Sequence, residues 1–330
     1  MSRDILIVGA GSAGKRHAGN LRELGCRISC FDPRQDRVDE AAQAGAVAAG
    51  FTDFERAVGD RAWSGVVVAS PPSFHVDQIL HIANVQQCPI LSEKPLSIDS
   101  ASAARLAPFG DRILLGYTYR WWPPLRDYRA QLRDGRIGAL RNMRFVMSAH
   151  LADWHPWEPY QEFFMAKRAL GGGALLDESH FIDLMLWMLG FPQAVFAWVD
   201  KISDLDIDAD DNVEILVRYE GGPRVNLHLD LVGRPHERSI SAVGEKGTLI
   251  YSYEENAILY ADTAEKSWDA QRYDCERNDM FVGVARDYLA MIDAELEAKA
   301  CTVEDGIVAL KVVDACRESS ASGRQIDLSA

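Results

Sequence analysis

No two of the six cysteines (Cys26, Cys30, Cys88, Cys275, Cys301, Cys316) form a C-x-x-C pair, and their spacing offers no zinc set. Reduced, mostly buried thiols are the expectation, and no metal is expected. Apolar runs are short, and none approaches the roughly 20 residues of a membrane helix. Positive charge is also in short supply: 35 Lys and Arg stand against 49 Asp and Glu, a net charge of −14. Nucleic acid and anionic membranes both call for a basic face, so neither is expected as a partner. There is no internal repeat and no low-complexity linker. The N-terminus runs straight into an apolar strand without a signal peptide, so a soluble, cytoplasmic protein is expected.

What is present is a globular composition, 48% hydrophobic and 25% charged, over 330 residues, a length that suggests two domains. The chain is organised around Ile5–Gly14. Ile5-Leu6-Ile7-Val8 reads as a buried parallel strand, and Gly9, Gly11 and Gly14 follow in the pattern G-x-G-x-x-G. Gly9 permits a tight turn, Gly11 lets a diphosphate approach the backbone, and Gly14 lets helix and strand pack closely. The free N–H groups of Ser12, Ala13 and Gly14 then face phosphate charge at the start of a helix running to Leu24. A second strand, Arg27–Phe31, ends at Asp32, where an acid grips a ribose hydroxyl. Asp32 repels a 2′-phosphate and so favours NAD; Arg34, two residues later, offsets this and leaves NADP open.

Strands at 65–69, 89–92 and 112–117 alternate with helices at 35–44, 53 onward, 75–85 and 100–106, which predicts a parallel, doubly wound sheet. Ligands of such sheets lie beyond the carboxyl ends of the strands. That rule gathers Gly9–Gly14, Asp32, Ser70, Pro71 and Pro72, Glu93, Lys94 and Pro95, and Tyr117–Arg120 with Tyr119; His75, after the Pro71-Pro72 turn, either faces the cofactor or packs at a helix start. From Trp121 the pattern changes to closely spaced strands between 140 and 260 with few helices. This predicts a second domain of α+β type with an open, largely antiparallel sheet, closed by helices at 280–298 and 303–319. The division is 1–120 and 121–330.

Lys94 follows a strand's carboxyl end and points to where a nicotinamide ring would lie, an ammonium suited to negative charge growing on a substrate oxygen. A surface lysine is the alternative reading. Residues 175–189 read as one buried helix, with Asp177, His180 and Asp183 at spacing three on one side. An imidazole between two carboxylates is satisfied and tuned for proton transfer; a structural His–Asp pair is the competing reading. The stretch Asp153–Tyr160, with Trp154 and Tyr160, followed by Lys167 and Arg168, suits a sugar-like ligand carrying a phosphate or carboxylate. It equally suits an aromatic loop packed on a sheet edge. His17, His81, His228 and His236 receive no role.

Taken together, these segments resemble the glucose–fructose oxidoreductase / inositol dehydrogenase (Gfo/Idh/MocA) family. The likeness is carried by Gly9–Gly14 with Arg16-His17, Ser70-Pro71-Pro72-Ser73-Phe74-His75, Ser92-Glu93-Lys94-Pro95-Leu96, Gly116–Arg120, Gly135–Gly138 and the 171–187 helix. The resemblance implies an N-terminal Rossmann domain with NAD, or NADP, as cofactor. It implies a C-terminal domain whose open sheet joins subunits as a homodimer or homotetramer. It implies hydride transfer at a hydroxyl carbon of a sugar, sugar nucleotide or cyclitol, and a branch associated with surface-polysaccharide or sugar-nucleotide synthesis. The family's motif lysine maps onto Lys94 and its helix histidine onto His180. Its acid usually stands four residues before that histidine, where this chain has Leu176, with Asp177 one step later. Thr118 replaces a frequent asparagine.

The expected chemistry is therefore proton removal by His180, an oxyanion steadied by Lys94, and Asp177 or Asp183 orienting the imidazole. Glu93 counts with the cofactor residues; Tyr119, Trp154, Tyr160, Lys167, Arg168 and Asp183 count as substrate residues. Two alternatives stay open. One is a glycosidase of the same fold with a tightly retained NAD; the other is a sensor without turnover, against which the presence of both Lys94 and His180 speaks.

Overall fold

A computed structural model describes residues 3–154, 158–264 and 267–328. Its first sheet is built from β1 (Asp4–Val8), β2 (Arg27–Phe31), β3 (Ala49–Phe51), β4 (Gly65–Val68), β5 (Ile90–Glu93) and β6 (Ile113–Gly116), in the order β3-β2-β1-β4-β5-β6. Every pairing is parallel. The continuous apolar runs of β1, β4 and β6 are buried from end to end, because helices cover both faces of a parallel sheet. Those helices are α1 (Ser12–Glu23), α2 (Gln35–Gln43), α3 (Phe54–Gly59), α4 (Pro72–Val85) and α5 (Ser100–Ala104). Asp53 and Asp99 accept backbone N–H bonds from Arg56 and Ser102 and so cap α3 and α5. The order places the glycine turn after β1 and Lys94 after β5 on the same, carboxyl edge of one sheet.

The second sheet has nine strands. It is formed by β7 (Leu140–Ser148), β8 (Ala194–Asp200), β9 (Asn212–Arg218), β10 (Arg224–Asp230), β11 (Glu237–Gly244), β12 (Gly247–Ser252), β13 (Ala257–Asp262), β14 (Asp269–Arg272) and β15 (Ile326–Asp327). It is open and antiparallel throughout except where β7 pairs β10 in parallel. Alternation along β10 and β12 buries one face, with Val225, Leu227, Leu229, Leu249 and Tyr251 in the core. The helices of this part are α6 (Pro123–Arg133), α7 (Ala174–Asp177) and α8 (Ser179–Leu189), and the chain closes with α9 (Arg277–Ile292) and α10 (Val303–Ser322).

The compact units divide differently from the 1–120 and 121–330 expectation. Met1–Trp121 forms one unit together with Arg277–Ile307, and Trp122–Glu276 with Val308–Ala330 forms the other. Particular side chains explain the return of 277–307. The Tyr288 hydroxyl on α9 reaches the carbonyls of Val66 and Pro89 at 3.0 and 3.1 Å. It fits because Gly65 has no Cβ, which would run into that hydroxyl. Trp121 donates to Asp287, and the buried Arg120 guanidinium donates to Ala300 O and pairs with Asp305.

Three elements differ from the sequence reading in kind. The expected single helix over 175–189 is broken at Glu178, whose φ of −90° and ψ of 15° interrupt the α ladder between α7 and α8. Asp177 therefore precedes the break and His180 follows it. The strands β14 and β15 were not expected at all; β14 is exposed at every position and so carries no apolar alternation.

Candidate active site

Within the first unit, the glycine turn is shaped for close approach. Gly9 has φ +98°, and its N–H donates to Phe31 O at 2.8 Å. A Cβ on Gly14 would strike the Gly9 carbonyl, so strand and helix approach to backbone contact. The N-cap of α1 is Gly11, which has no side chain to cap the first turn. Ser12 is exposed, and Ala13 and Gly14 follow it into the helix. A 12-residue helix whose leading N–H groups meet no side-chain cap is built to receive phosphate oxygens.

Asp32, directly after β2, is buried at 7% exposure. Its Oδ2 accepts the Ala10 N–H at 2.9 Å and its Oδ1 the Arg34 N–H at 3.0 Å. The acid thus anchors the turn while each oxygen keeps a lone pair for a ribose hydroxyl. The Arg34 guanidinium turns instead to Asp36, at 2.5 and 3.1 Å, on an exposed surface. It does not offset Asp32 in this arrangement, which favours a cofactor without a 2′-phosphate.

The Lys94 loop is held from several sides. Lys94 is half-buried and joined to Pro95 by a cis peptide bond. His75, wholly buried on α4, places Nδ1 2.8 Å from Pro95 O and Nε2 2.7 Å from Ser70 O, joining the two loops. Burial lowers its proton affinity, with the two carbonyls acting in the opposite sense. Ser70 Oγ donates to Gln78, and Pro71 is the N-cap of α4. Glu93 faces inward: Oε1 lies 2.7 Å from His17 Nε2, and Oε2 accepts the Lys94 N–H at 3.2 Å. Burial works to push its carboxyl up, but His17 and Lys94 outweigh it and hold Glu93 below the ordinary glutamate range. Tyr119 is buried in the short helical turn Thr118–Trp121.

Within the second unit, α8 carries His180, which is partly exposed, and Asp183, which is buried at 1% exposure; Asp177 in α7 is 6% exposed. The turn that starts α7 is fixed by Asp210, whose carbonyl accepts the Ala174 N–H and whose Oδ2 accepts the Leu175 N–H at 2.8 Å. Gly173, at φ +109°, has no room for a Cβ against that carboxylate.

The same acidic loop fixes residues expected to bind substrate. The Tyr160 hydroxyl accepts the Asp206 N–H at 3.1 Å. Arg168 donates its N–H to Asp208 Oδ1 and its Nε to Asp208 O. These contacts tie 160–175 to 203–211 and hold Arg168 against that loop. Lys167 is exposed. Trp154 stacks on His236, next to an Asp153–Arg234 pair at 2.7 and 2.8 Å. His155, Pro156 and Trp157 lie outside the described residues.

The comparisons with known proteins agree with this construction. Residues 3–109 match the family model described as "Oxidoreductase family, NAD-binding Rossmann fold", and residues 125–250 match "GFO/IDH/MocA C-terminal domain". The chain belongs to the Gfo/Idh/MocA family. An inositol 2-dehydrogenase of Corynebacterium glutamicum (strain R) is 33% identical over 146 residues, 42% of this chain and 43% of that enzyme's length. An inositol 2-dehydrogenase of Leifsonia xyli subsp. xyli is 27% identical over 318 residues, 91% of this chain and 86% of its own. A levoglucosan dehydrogenase solved with NADH and levoglucosan superposes with a TM-score of 0.86 over 100% of both chains at 18% identity, a likeness of fold.

For a Gfo/Idh/MocA chain the first unit is the NAD-binding Rossmann domain, and the uncapped helix start and the Gly14 contact fit a dinucleotide. Sequence reasoning missed His17 and Asp210. His17 was legible in principle: it sits on the buried stripe Gly14, His17, Ala18, Leu21, where an imidazole must find a polar partner. Asp210 lies in the acid-rich stretch Asp204–Asp211, which reads as a solvated surface.

Proposed function

We propose that this protein is an NAD-dependent dehydrogenase acting on a hydroxyl carbon of a sugar, sugar nucleotide or cyclitol. The observation that carries the reading is the placement of Lys94 immediately after β5, on the sheet edge that also bears the glycine turn and Asp32. NAD, when bound, supplies the hydride acceptor. Gly9, Gly11, Ser12, Ala13 and Gly14 hold its diphosphate, and Asp32 its ribose. His75 and Glu93 act by fixing the Lys94 loop. Lys94 donates a hydrogen bond to the substrate oxygen and steadies negative charge as it grows there. His180 takes the hydroxyl proton, and the buried carboxylates Asp177 and Asp183 favour the imidazolium that results. The dehydrogenase names of the relatives support this assignment.

The test is to mix the purified protein with NAD and a panel of sugars, cyclitols and nucleotide sugars while following the absorbance of reduced nicotinamide. Sustained growth of that absorbance with one class supports the reading. Cleavage of a glycoside with no net cofactor reduction assigns the glycosidase chemistry instead.

We further propose assembly with a second copy through the outer face of the second sheet. Phe196 and Trp198 on β8 meet edge-on at 4.9 Å, and Phe196 faces Leu216 of β9. Trp198 and Leu216 are 52% and 53% exposed, an apolar surface that isolated sheets seldom leave in water. Light scattering of the purified protein and of Trp198→Glu decides between a multimer and a monomer.

A further inference from the structure

His17 and Glu93 form a buried pair for which the hydride-transfer chemistry alone has no use. His17 is wholly inaccessible on the second turn of α1, the helix whose first turn faces the diphosphate site. Its Nε2 lies 2.7 Å from Glu93 Oε1, and its Nδ1 has no hydrogen-bond partner among the described residues. Nε2 is therefore the ring atom that meets the carboxylate. The edge of His17 rests against Phe281, whose face carries the Arg16 guanidinium at 4.4 Å. Glu93 is 8% exposed, and its second oxygen accepts the backbone N–H of Lys94.

A carboxylate this deep is costly unless both oxygens are hydrogen-bonded, as those of Glu93 are. The charged or titratable groups acting on it are His17 from α1, His75 from α4 and Lys94 from its own strand. On the β6 side stands Gly116, where a Cβ would come 3.7 Å from Glu93 Cδ. His17 holds one oxygen of the carboxylate and the Lys94 N–H meets the other, so the carboxylate is fixed between α1 and Lys94.

We propose that His17 and Glu93 are positioning residues for Lys94. His17 holds Glu93 in place, and the Glu93 carboxylate fixes the Lys94 backbone and keeps its ammonium protonated. Cofactor helix and lysine are thereby joined through one carboxylate. The inference rests on the role given to Lys94 above and adds what keeps that role available. It also explains why the Glu-Lys pair sits at the strand end: the glutamate points inward to α1 and its neighbour outward to the edge.

The test uses the full-length protein and three variants, Glu93→Gln, His17→Gln and His17→Phe. The proton affinity of Lys94 is read without reference to turnover, from the pH dependence of its reductive methylation followed by peptide mass spectrometry. Glu93→Gln keeps the shape and removes the charge. It is expected to move the Lys94 midpoint down by about 0.5–1 pH unit. His17→Gln retains a donor at the Nε2 position and is expected to keep kcat within about threefold, whereas His17→Phe loses about tenfold or more. An unmoved Lys94 midpoint in Glu93→Gln, or a His17→Gln protein as slow as His17→Phe, overturns the proposal. If the wild type turns over nothing in the panel, the dehydrogenase reading fails, while the labelling midpoints still decide the coupling.

Discussion

The carboxylate of Asp32 accepts the backbone N–H of Ala10 at 2.9 Å, so the acid proposed to hold a ribose also braces the glycine turn proposed to receive the diphosphate. One residue therefore contributes to cofactor affinity and to the shape of the site. Asp32→Ala should weaken NAD binding about 10- to 100-fold in isothermal titration and lower stability by ~1–2 kcal/mol in urea unfolding. Lost affinity with unchanged stability would show that the Ala10 bond contributes nothing to the fold.

Gly14→Ala tests the close approach of α1 to β1. The added methyl meets the Gly9 carbonyl, a backbone atom that cannot step aside cheaply. The expected result is a loss of ~2–4 kcal/mol in stability and a marked loss of NAD affinity, measured by thermal denaturation with and without NAD. Wild-type melting and binding would mean that helix and strand can separate without cost.

Asp210 holds the turn in front of α7 and α8 through the Ala174 and Leu175 N–H groups. Asp210→Ala should lower kcat about tenfold or more, by loosening the segment that carries Asp177 and His180. NAD affinity should stay unchanged, because the cofactor residues lie in the other unit. Steady-state kinetics and NAD titration on the same sample check both halves of this expectation.

His228 offers a pH signature in the second sheet. Its hydrogen bond to Asp230, together with the one to Glu214, raises its pKa to about 9 against the opposing effect of burial. A histidine whose folded pKa is raised stabilises the fold fully below its unfolded value near 6.5, and that contribution disappears as pH rises through about 9. His228→Gln should therefore cost on the order of 1–3 kcal/mol at pH 6 and little at pH 10. A variant whose deficit is constant across that range would show that His228 titrates no differently in the folded protein.

Much of this architecture could be read from residue order. The alternation of apolar runs and helical stretches before Trp121 gives five of the six parallel strands, because a buried strand reads as a short apolar run; β3 (Ala49–Phe51) has three residues, is partly exposed, and lies just beyond the apolar piece 46–48. The glycine spacing and Asp32 located the dinucleotide turn for the same local reason. What escaped depends on partners distant in sequence. His17 meets Glu93 across 76 positions, and α9 joins the first unit through Tyr288 and the absent side chain of Gly65. The break at Glu178 was hidden because Leu175–Leu189 is apolar almost all round, and hydrophobicity alone does not report a change of backbone angle. The bonds of Tyr160 and Arg168 to Asp206 and Asp208 are not legible in the sequence, because the acids of that loop read as surface charge.

We propose that Lys94 and His180 each serve hydride transfer from a hydroxyl carbon of the substrate to NAD. The most direct test is the rate of nicotinamide reduction by the wild type, Lys94→Ala and His180→Ala, each saturated with NAD and with the best substrate of the panel. The expected outcome is a loss of about 100-fold or more in kcat for each variant, with NAD binding retained. Wild-type turnover by either variant would contradict the assignment of its residue, and by both would end the account.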